Sequence, residues 1–372
     1  MDGKTPLLSD TEKRDWLRLI RSEHLGPVTF HNILRYYGSA AKAIEALPDM
    51  AKRARSKRAV KLAPAAAIDR EMDSLRKAGA RLVAWGEPDY PLRLMQLDDA
   101  PPLLAVKGRA EIAARQGIAI VGARNASAIG QRFTRDIAAD LCRHDLAVIS
   151  GLARGIDRAA HEGALAAGGA TMAFIGTGID VVFPPENAKL HDEIAEQGLI
   201  FAEMPPGTPP LAQNFPRRNR LISGASMGVL VIEAALKSGS LITARMAAEQ
   251  GREVMAVPGS PLDPRCHGSN DLIRQGATLV ERIDDILAVM APQMTVKASP
   301  PITQPPDPIA VSDDDIGHAH GELDRLLSPS PVLIDDLIRL SGLSAALVHM
   351  ALTEKELSGL LLRHPGGKVS SA

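Results

Sequence analysis

Aromatic side chains are scarce in this chain. Six Phe, three Tyr and two Trp make up 3% of 372 residues. A core this poor in rings must be built from aliphatic residues, and a ring beside a polar cluster stands out. Cysteine is scarcer still: Cys142 and Cys266 cannot staple a disulfide scaffold or build a Cys-rich zinc site. The adjacent Cys266 and His267 have no second ligand pair nearby, so no metal site is expected. No run of 18 uninterrupted apolar residues occurs, which predicts no spanning helix and no membrane role. Residues 1–15 are charged and lack the apolar region of a secretory signal. An excess of either charge is also missing, with 43 Lys plus Arg against 44 Asp plus Glu. Any nucleic-acid site must therefore be a local patch rather than a whole-domain field. Together these absences predict a soluble protein of a reducing compartment, the cytoplasm.

The length suggests two or three domains, and 45% hydrophobic residues can build a substantial core. Residues 1–105 read as mostly helical. They include an apolar run, Leu25 to Leu34, that ends at a Gly38 break, and a basic run, Lys52 to Arg58, expected as a solvated helix face. Pro88, Pro91, Pro101 and Pro102 mark an extended connection. From 106 to 290 short apolar runs alternate with helical stretches, as in Ile118–Val121, then Ile129 to His144, then Leu146–Ile149. Fully apolar strands spaced by helices predict a parallel sheet buried on both faces, the doubly wound α/β class. Residues 291–317, with six prolines and Asp313 to Asp315, read as a linker. Residues 318–372 hold three helical patterns, a short apolar strand and a Gly-Gly turn, which suggests a winged-helix-like module.

In a doubly wound sheet, ligands bind beyond the carboxyl ends of the strands. Three glycine-rich turns fall there: Gly122 to Gly130 with Arg124 and Ser127, Ser150 to Asp157 with Gly151, Arg154 and Gly155, and Gly176 to Asp180. Small residues let backbone N–H groups and helix N-termini approach an anion. Any Rossmann-like sheet needs tight turns, so one alone says little. Three in succession, two with an arginine, point to phosphate. The first turn is not GxGxxG and the second strand ends in Ser150 rather than a ribose-binding carboxylate, so a dinucleotide is a poor fit. A GxxxxGK[ST] loop is absent, which argues against a P-loop NTPase. No cofactor is expected.

The longest informative stretch follows. Between Glu203 and Glu233 there is no acidic residue, and Phe215, Arg217, Arg218, Asn219 and Arg220 fall inside that window. An aromatic ring beside arginines suits stacking and backbone neutralisation on a single strand. Equally, Phe215 could be core and the arginines a helix surface, with one of them paired to Glu203 or Glu233. Further on, Lys237, Ser238, Gly239 and Ser240 open a helix with hydroxyls and free N–H groups, or with an ordinary N-cap. A Ser150–His161–Asp157 nucleophile is set aside because the G-x-S-x-G elbow is missing; Asp157 is expected to cap or orient the glycine loop. In the C-terminal module, the candidate reading helix Ser344 to Ser358 carries only Lys355, offset by Glu354 and Glu356. Protein contact fits it at least as well as DNA.

Taken in order, GARNASAIG, SGLARGID, FIGTGIDVVFP, FPRRNRLISGAS, EAALKSGSLITA, VPGS and GSNDLIRQGA resemble the DNA-processing protein DprA (Smf) family over residues 117–280. The resemblance implies an extended Rossmann core flanked by an N-terminal helical domain of SAM or helix-hairpin-helix type and a C-terminal winged-helix-like domain. It implies a non-enzymatic protein that binds and protects single-stranded DNA, loads the RecA recombinase during natural transformation, and forms a homodimer through the core. It also implies a pocket that uses Arg124, Phe215 and the loop of Ser150, Gly151 and Gly155. Some relatives carry a Lys three residues before that Phe; here Ala212 stands instead. The competing reading is a LOG-type nucleotide phosphoribohydrolase on a similar core. Its P-G-G-x-G-T-x-x-E motif is not matched at Lys237 to Ala244, where no Glu follows Gly239 by four residues.

Overall fold

The computed structural model describes residues 7–53, 61–294, 313–364 and 366–372. They form two compact units. One runs from Asp73 through the α/β core; the other joins Leu7–Met72 to the C-terminal segment.

The chain opens with α1 (Asp10–Ile20), α2 (Pro27–Tyr37), α3 (Ala40–Arg53) and α4 (Ala65–Lys77). A capping box starts α1: Ser9 Oγ accepts from Glu12 N at 3.2 Å while Glu12 accepts from Ser9 N at 2.8 Å. Pro27 occupies the first position of α2, where its missing N–H costs nothing. The Trp16 and Phe30 rings meet edge to face at 5.0 Å, so two of the few aromatics anchor this helical group.

The core comprises β1 (Arg81–Ala84), β2 (Leu103–Gly108), β3 (Gly117–Val121), α5 (Ala128–Arg143), β4 (Ala147–Ser150), α6 (Ile156–Ala166), β5 (Thr171–Gly178), α7 (Ala188–Gln197), β6 (Leu199–Met204), α8 (Asn214–Ala225), β7 (Gly228–Val231), α9 (Gly239–Glu249), β8 (Glu253–Ala256), α10 (His267–Arg274), β9 (Thr278–Leu279) and α11 (Ile283–Met294). The strands lie in the order β1-β2-β6-β5-β4-β3-β7-β8-β9. From β6 to β9 all neighbours are parallel. The order reverses at β3, which has β4 on one side and β7 on the other, and that is the switch point where ligands bind in such sheets.

The apolar runs alternate between two cores. Ile118 and Ile120 of β3 pack with Ile137 and Leu141 of α5 and Ile156 and Ala160 of α6. Ala119 and Val121 face the opposite layer, with Leu221 and Ile222 of α8 and Ala244 and Ala247 of α9. Burial on both faces is why these strands carry no polar alternation. Phe174 and Phe201 stack at 4.8 Å in the second core and are fully buried.

The C-terminal segment is α12 (Asp313–Leu326), β10 (Val332–Leu333), α13 (Ile334–Ser341), α14 (Ala345–Leu357), β11 (Leu361–His364) and β12 (Lys368–Ser371). Three helices and a three-stranded wing make a winged-helix arrangement around Leu323, Leu337, Val348, Leu352 and Val369. The helix expected to be poor at reading DNA spends its polar residues inside this unit. His320 Nε2 lies 2.7 Å from Glu354, both buried. Buried Lys355 pairs with Asp324, and Thr353 and Glu356 hydrogen-bond to Asn32 and Thr29 of α2.

Three expected boundaries shift. The helical segment ending at 105 takes in β1 and β2, which pair antiparallel and extend the sheet beyond β6; the 105 boundary falls inside β2. Nothing local marks this pair, because a Pro-containing loop of irregular backbone separates its strands. The linker expected over 291–317 is shorter, since α11 reaches Met294 and α12 begins at Asp313. Of the basic run, Lys52 and Arg53 end α3 and the rest lies outside the described residues. Among the described residues, no helix is long and apolar enough to cross a membrane.

Replacing Phe201 by Ala removes a fully buried stacked ring from the central sheet. Chemical denaturation is expected to report a loss of about 3–5 kcal/mol relative to the parent chain. A loss below about 1 kcal/mol would mean that the two-faced core does not hold the sheet as described.

Candidate nucleic-acid interface

Arg124 stands three residues past the end of β3 and its side chain is exposed. Its guanidinium carbon lies 5.7 Å from the centre of the Phe215 ring. Phe215 sits in the first turn of α8 and is half-buried. Gly176 of β5 lies flat under its edge, where a Cβ would come within 3.1 Å of the ring. Phe183, which lies in the FIGTGIDVVFP stretch but is not among the expected contacts, stands 5.7 Å away with its ring tilted by 42°. The aromatic scarcity that marks Phe215 also applies to this second ring after a glycine turn.

The loop between β4 and α6 is held from beneath. Arg218 of α8 is 6% exposed; its Nη1 donates to Phe174 O at 2.6 Å, and its guanidinium carbon lies 6.0 Å from the Phe215 ring. A Cβ on Gly151 would fall 1.8 Å from that Nη1, so a guanidinium can lie there only because residue 151 is glycine. Gly155, at φ +72, lets the loop cross the first turn, with Ala123 O only 2.2 Å from where a Cβ would stand. Asp157 Oδ2 accepts from Gly151 N at 3.1 Å and Ala153 N at 3.3 Å, the loop-orienting role expected of it. Asn187 adds a brace, its Nδ2 donating to Leu152 O and Ala153 O at 3.0 and 3.2 Å.

Burial sets the charges under this loop. It pushes the Asp157 carboxyl up, against the pull of Arg218 and the two loop amides. Burial also lowers Arg218 to about 10, opposed by Asp157, so it remains cationic at neutral pH. His161, fully buried with Nδ1 2.7 Å from Thr171 Oγ1, is pushed down to about 3 by burial and by the Arg218 charge. It is a neutral core histidine, and its partner is a threonine rather than Ser150. Ser150 Oγ is turned away, donating to Ile120 O at 2.7 Å.

The first turn has its own brace. Glu233, just past β7, accepts from Ser127 N at 2.9 Å and from Ser127 Oγ at 2.5 Å, while Ser127 Oγ caps α5 by accepting from Gly130 N at 2.9 Å. The acidic side chain nearest a hydrolase role is thus committed to holding the backbone beside Gly122 and Arg124.

Several expected anion contacts take other roles. The Gly151 amide and the Ser150 and Ser127 hydroxyls are committed within the fold. Arg218 acts from below the loop. Arg220 is anchored by Glu203 at 2.5 Å and by Asp99 O at 2.8 Å, both acidic side chains being close to it. Ser238 is the N-cap of α9, accepting from Ser240 N at 3.3 Å, with Gly239 between them and Lys237 exposed before it. Asn219 is half-buried. Arg217 is exposed and has no carboxylate partner among the described residues. Arg154 is exposed and pairs with Glu186. Helical spacing carries the missed signal: Asn214, Arg218, Leu221, Ile222 and Ala225 recur at i, i+4, i+7, i+8 and i+11, one buried face of α8.

Fold and site therefore define a doubly wound α/β protein with an arginine-lined cleft and an aromatic platform beside its switch point. Residues 81–291 match the family DNA recombination-mediator protein A, residues 10–74 the DprA-like N-terminal HHH domain, and residues 304–367 the DprA winged helix domain. The chain belongs to this DprA/Smf family. It is 38% identical over 309 residues to Protein Smf of Escherichia coli, covering 82% of this chain and 81% of that protein. The X-ray structure of DprA from Streptococcus pneumoniae superposes with a TM-score of 0.57 at 38% identity, over 67% of this chain and 82% of that one. A Helicobacter pylori DprA structure, described as giving insights into a single-stranded DNA binding mode, superposes with a TM-score of 0.52 at 26% identity, over 57% of this chain and 96% of that one.

Two outcomes test these assignments. Arg220→Ala strips a partner from largely buried Glu203, so denaturation should show a loss of roughly 3–5 kcal/mol, while the salt dependence of any DNA binding stays at the parent value. For His161, folding lowers the pKa from 6.5 to about 3, so the folded chain binds fewer protons between those values. Its stabilising share is whole above pH 6.5 and is lost as pH falls toward 3, by up to roughly 5 kcal/mol. Unfolding curves across that window should fall more steeply for the parent than for His161→Gln; parallel curves would contradict a buried neutral ring.

Proposed function

We propose that the protein binds single-stranded DNA at the carboxyl ends of β3, β4 and β5 and processes it as a binder rather than as an enzyme. The observation that carries this reading is the Phe215 ring, half-buried, backed by Gly176 and Phe183 and flanked by the Arg124 and Arg218 guanidiniums. A base can stack on such a ring without regard to its identity. Arg124, exposed and without a carboxylate partner among the described residues, can turn from the ring to a backbone phosphate as a base takes its place. Exposed Arg217, Lys237 and Arg154 supply further positive field, and fixed Arg218 supplies charge from beneath. The single-stranded DNA described for the Helicobacter pylori relative supports the ligand class. Glu233, occupied with Ser127, is a brace here and disfavours the phosphoribohydrolase alternative.

The family relationship supports three finer parts of the proposal: protection of incoming single strands in the cytoplasm, loading of a RecA-type recombinase during natural transformation, and self-association through the α/β core. The RecA part would show as faster assembly of recombinase filaments on DNA already coated by a single-strand-binding protein.

Anisotropy of a labelled single strand, measured against the same sequence as duplex over a salt series, tests the central claim. Single strands should bind more tightly, with affinity falling as salt rises. Phe215→Ala should weaken binding about 5- to 150-fold, from the roughly 1–3 kcal/mol that one stacked base contributes, and Arg124→Ala should weaken it too. No binding at low salt, or two silent substitutions, would sink this reading. Steady release of ribose phosphate from a nucleoside monophosphate would instead establish the hydrolase.

A further inference from the structure

A cleft of about 430 Å³ opens beside Arg124, lined by residues of the first two turns and of α5 and α6. Arg124 and Arg154 line it from the first two turns, and Arg135 of α5 and Arg158 of α6 line it from the helices. Two carboxylates, Glu162 and Glu186, share it with these four guanidiniums. Neither Arg135 nor Arg158 belongs to a glycine-rich turn, and no sequence motif marks them.

The ion pairs in this cleft leave positive charge over. Glu162 serves two guanidiniums at once, Arg158 at 2.6 Å and Arg135 at 3.3 Å. Glu186 pairs with Arg154. Arg124 has no carboxylate partner among the described residues, so four cations face two anions. All of these pairs are substantially exposed, with side-chain accessibilities of 30–59%. Pairs so exposed stabilise the fold weakly, and their guanidiniums can exchange a carboxylate for another anion at little cost. Arginine offers a planar fork of donors that fits the oxygens of a phosphate. The two carboxylates also discriminate: they repel a compact, highly charged anion and tolerate one diester charge at a time.

We propose that this cleft is a second phosphate track, in which Arg135 and Arg158 take the backbone phosphates of the strand segment that continues past Arg124. The proposal rests on the single-strand reading above and adds to it a direction and two residues. The ligand is a phosphodiester segment rather than the terminal phosphate of a free nucleotide. Glu162 acts as the charge that Arg135 and Arg158 release when the strand enters, and it moderates the affinity of the track.

The test uses the full chain with labelled single strands of about four and about 16 nucleotides, the span of short and long single-strand sites. It compares the parent with R124A, R135A/R158A and E162Q over a salt series. For the longer strand, R135A/R158A should weaken binding roughly 5- to 25-fold near 0.1 M salt. It should also flatten the log–log salt slope by about 1.4, or about 0.7 for each phosphate no longer neutralised. The short strand should lose much less. E162Q should move affinity and slope the opposite way. R135A/R158A at the parent affinity and slope, with R124A weakened, would overturn the track and leave the Phe215 site standing. A silent R124A as well would overturn both. Loss in R135A/R158A without gain in E162Q would mark damage to the helix pair and would equally overturn the track. So would full competition by a mononucleotide with the longer strand at this cleft, lost in R135A/R158A, since that would make it a small-nucleotide site.

Discussion

Everything at this site depends on one guanidinium buried under one glycine. Arg218 reaches from α8 across the ends of the central strands, caps the carbonyl of Phe174 and fills the space below Gly151. Its positive charge is tolerable there because Asp157 faces it and is itself tied to the loop amides. An isolated buried charge would cost far more than the fold could bear. The pair therefore fixes the β4–α6 loop, and the loop fixes the back of the aromatic platform. The same arrangement spends amides and a cation that would otherwise be free to meet an anion. Exposed groups carry the field, and buried groups hold the shape.

The first turn follows the same logic with the opposite sign. Glu233 crosses from the end of β7 to the turn that follows β3 at the switch point, and binds Ser127 through both its backbone and its hydroxyl. Ser127 in turn caps α5. A carboxylate beside a glycine-rich, arginine-bearing turn looks unfavourable until its partners are counted; here it is consumed in orienting the turn from which Arg124 projects. In the other compact unit, α14 shows how a helix of the winged-helix type can be spent on its own chain. Its charged residues pair with His320, Asp324, Thr29 and Arg363 rather than facing solvent. This matches its poverty in free Lys and Arg.

Much of the architecture was legible from patterning. Strands buried on both faces read as unbroken apolar runs, and β3, β4, β5 and β7 fell where those runs lie. Of the three helices of the C-terminal module, the second and third, expected over about 332–340 and 344–358, were close to their observed limits, whereas the first, expected from about 320, begins at Asp313. The β1–β2 pair was not legible, because strand pairing across an irregular loop leaves no local period. At the candidate site, the structure brings Arg124 and Phe215 together. Phe183, Asn187, Arg135 and Arg158 did not announce themselves, since each stands just past a glycine-rich turn and only the fold shows which way its side chain faces.

The sequence by itself determined the doubly wound class, the glycine-rich turns at strand ends and the acid-free arginine window, because these rest on local period and composition. Only the tertiary structure decided what each arginine does. Arg217, Arg218 and Arg220 are near neighbours in the chain, yet one is exposed, one is buried under a loop and one is clamped between acids. Helical geometry turns neighbouring side chains about 100° apart, and the partners waiting on each side come from strands and loops far away in sequence. A residue's charge is written in the chain; whether that charge faces solvent or a buried carboxylate is settled by packing.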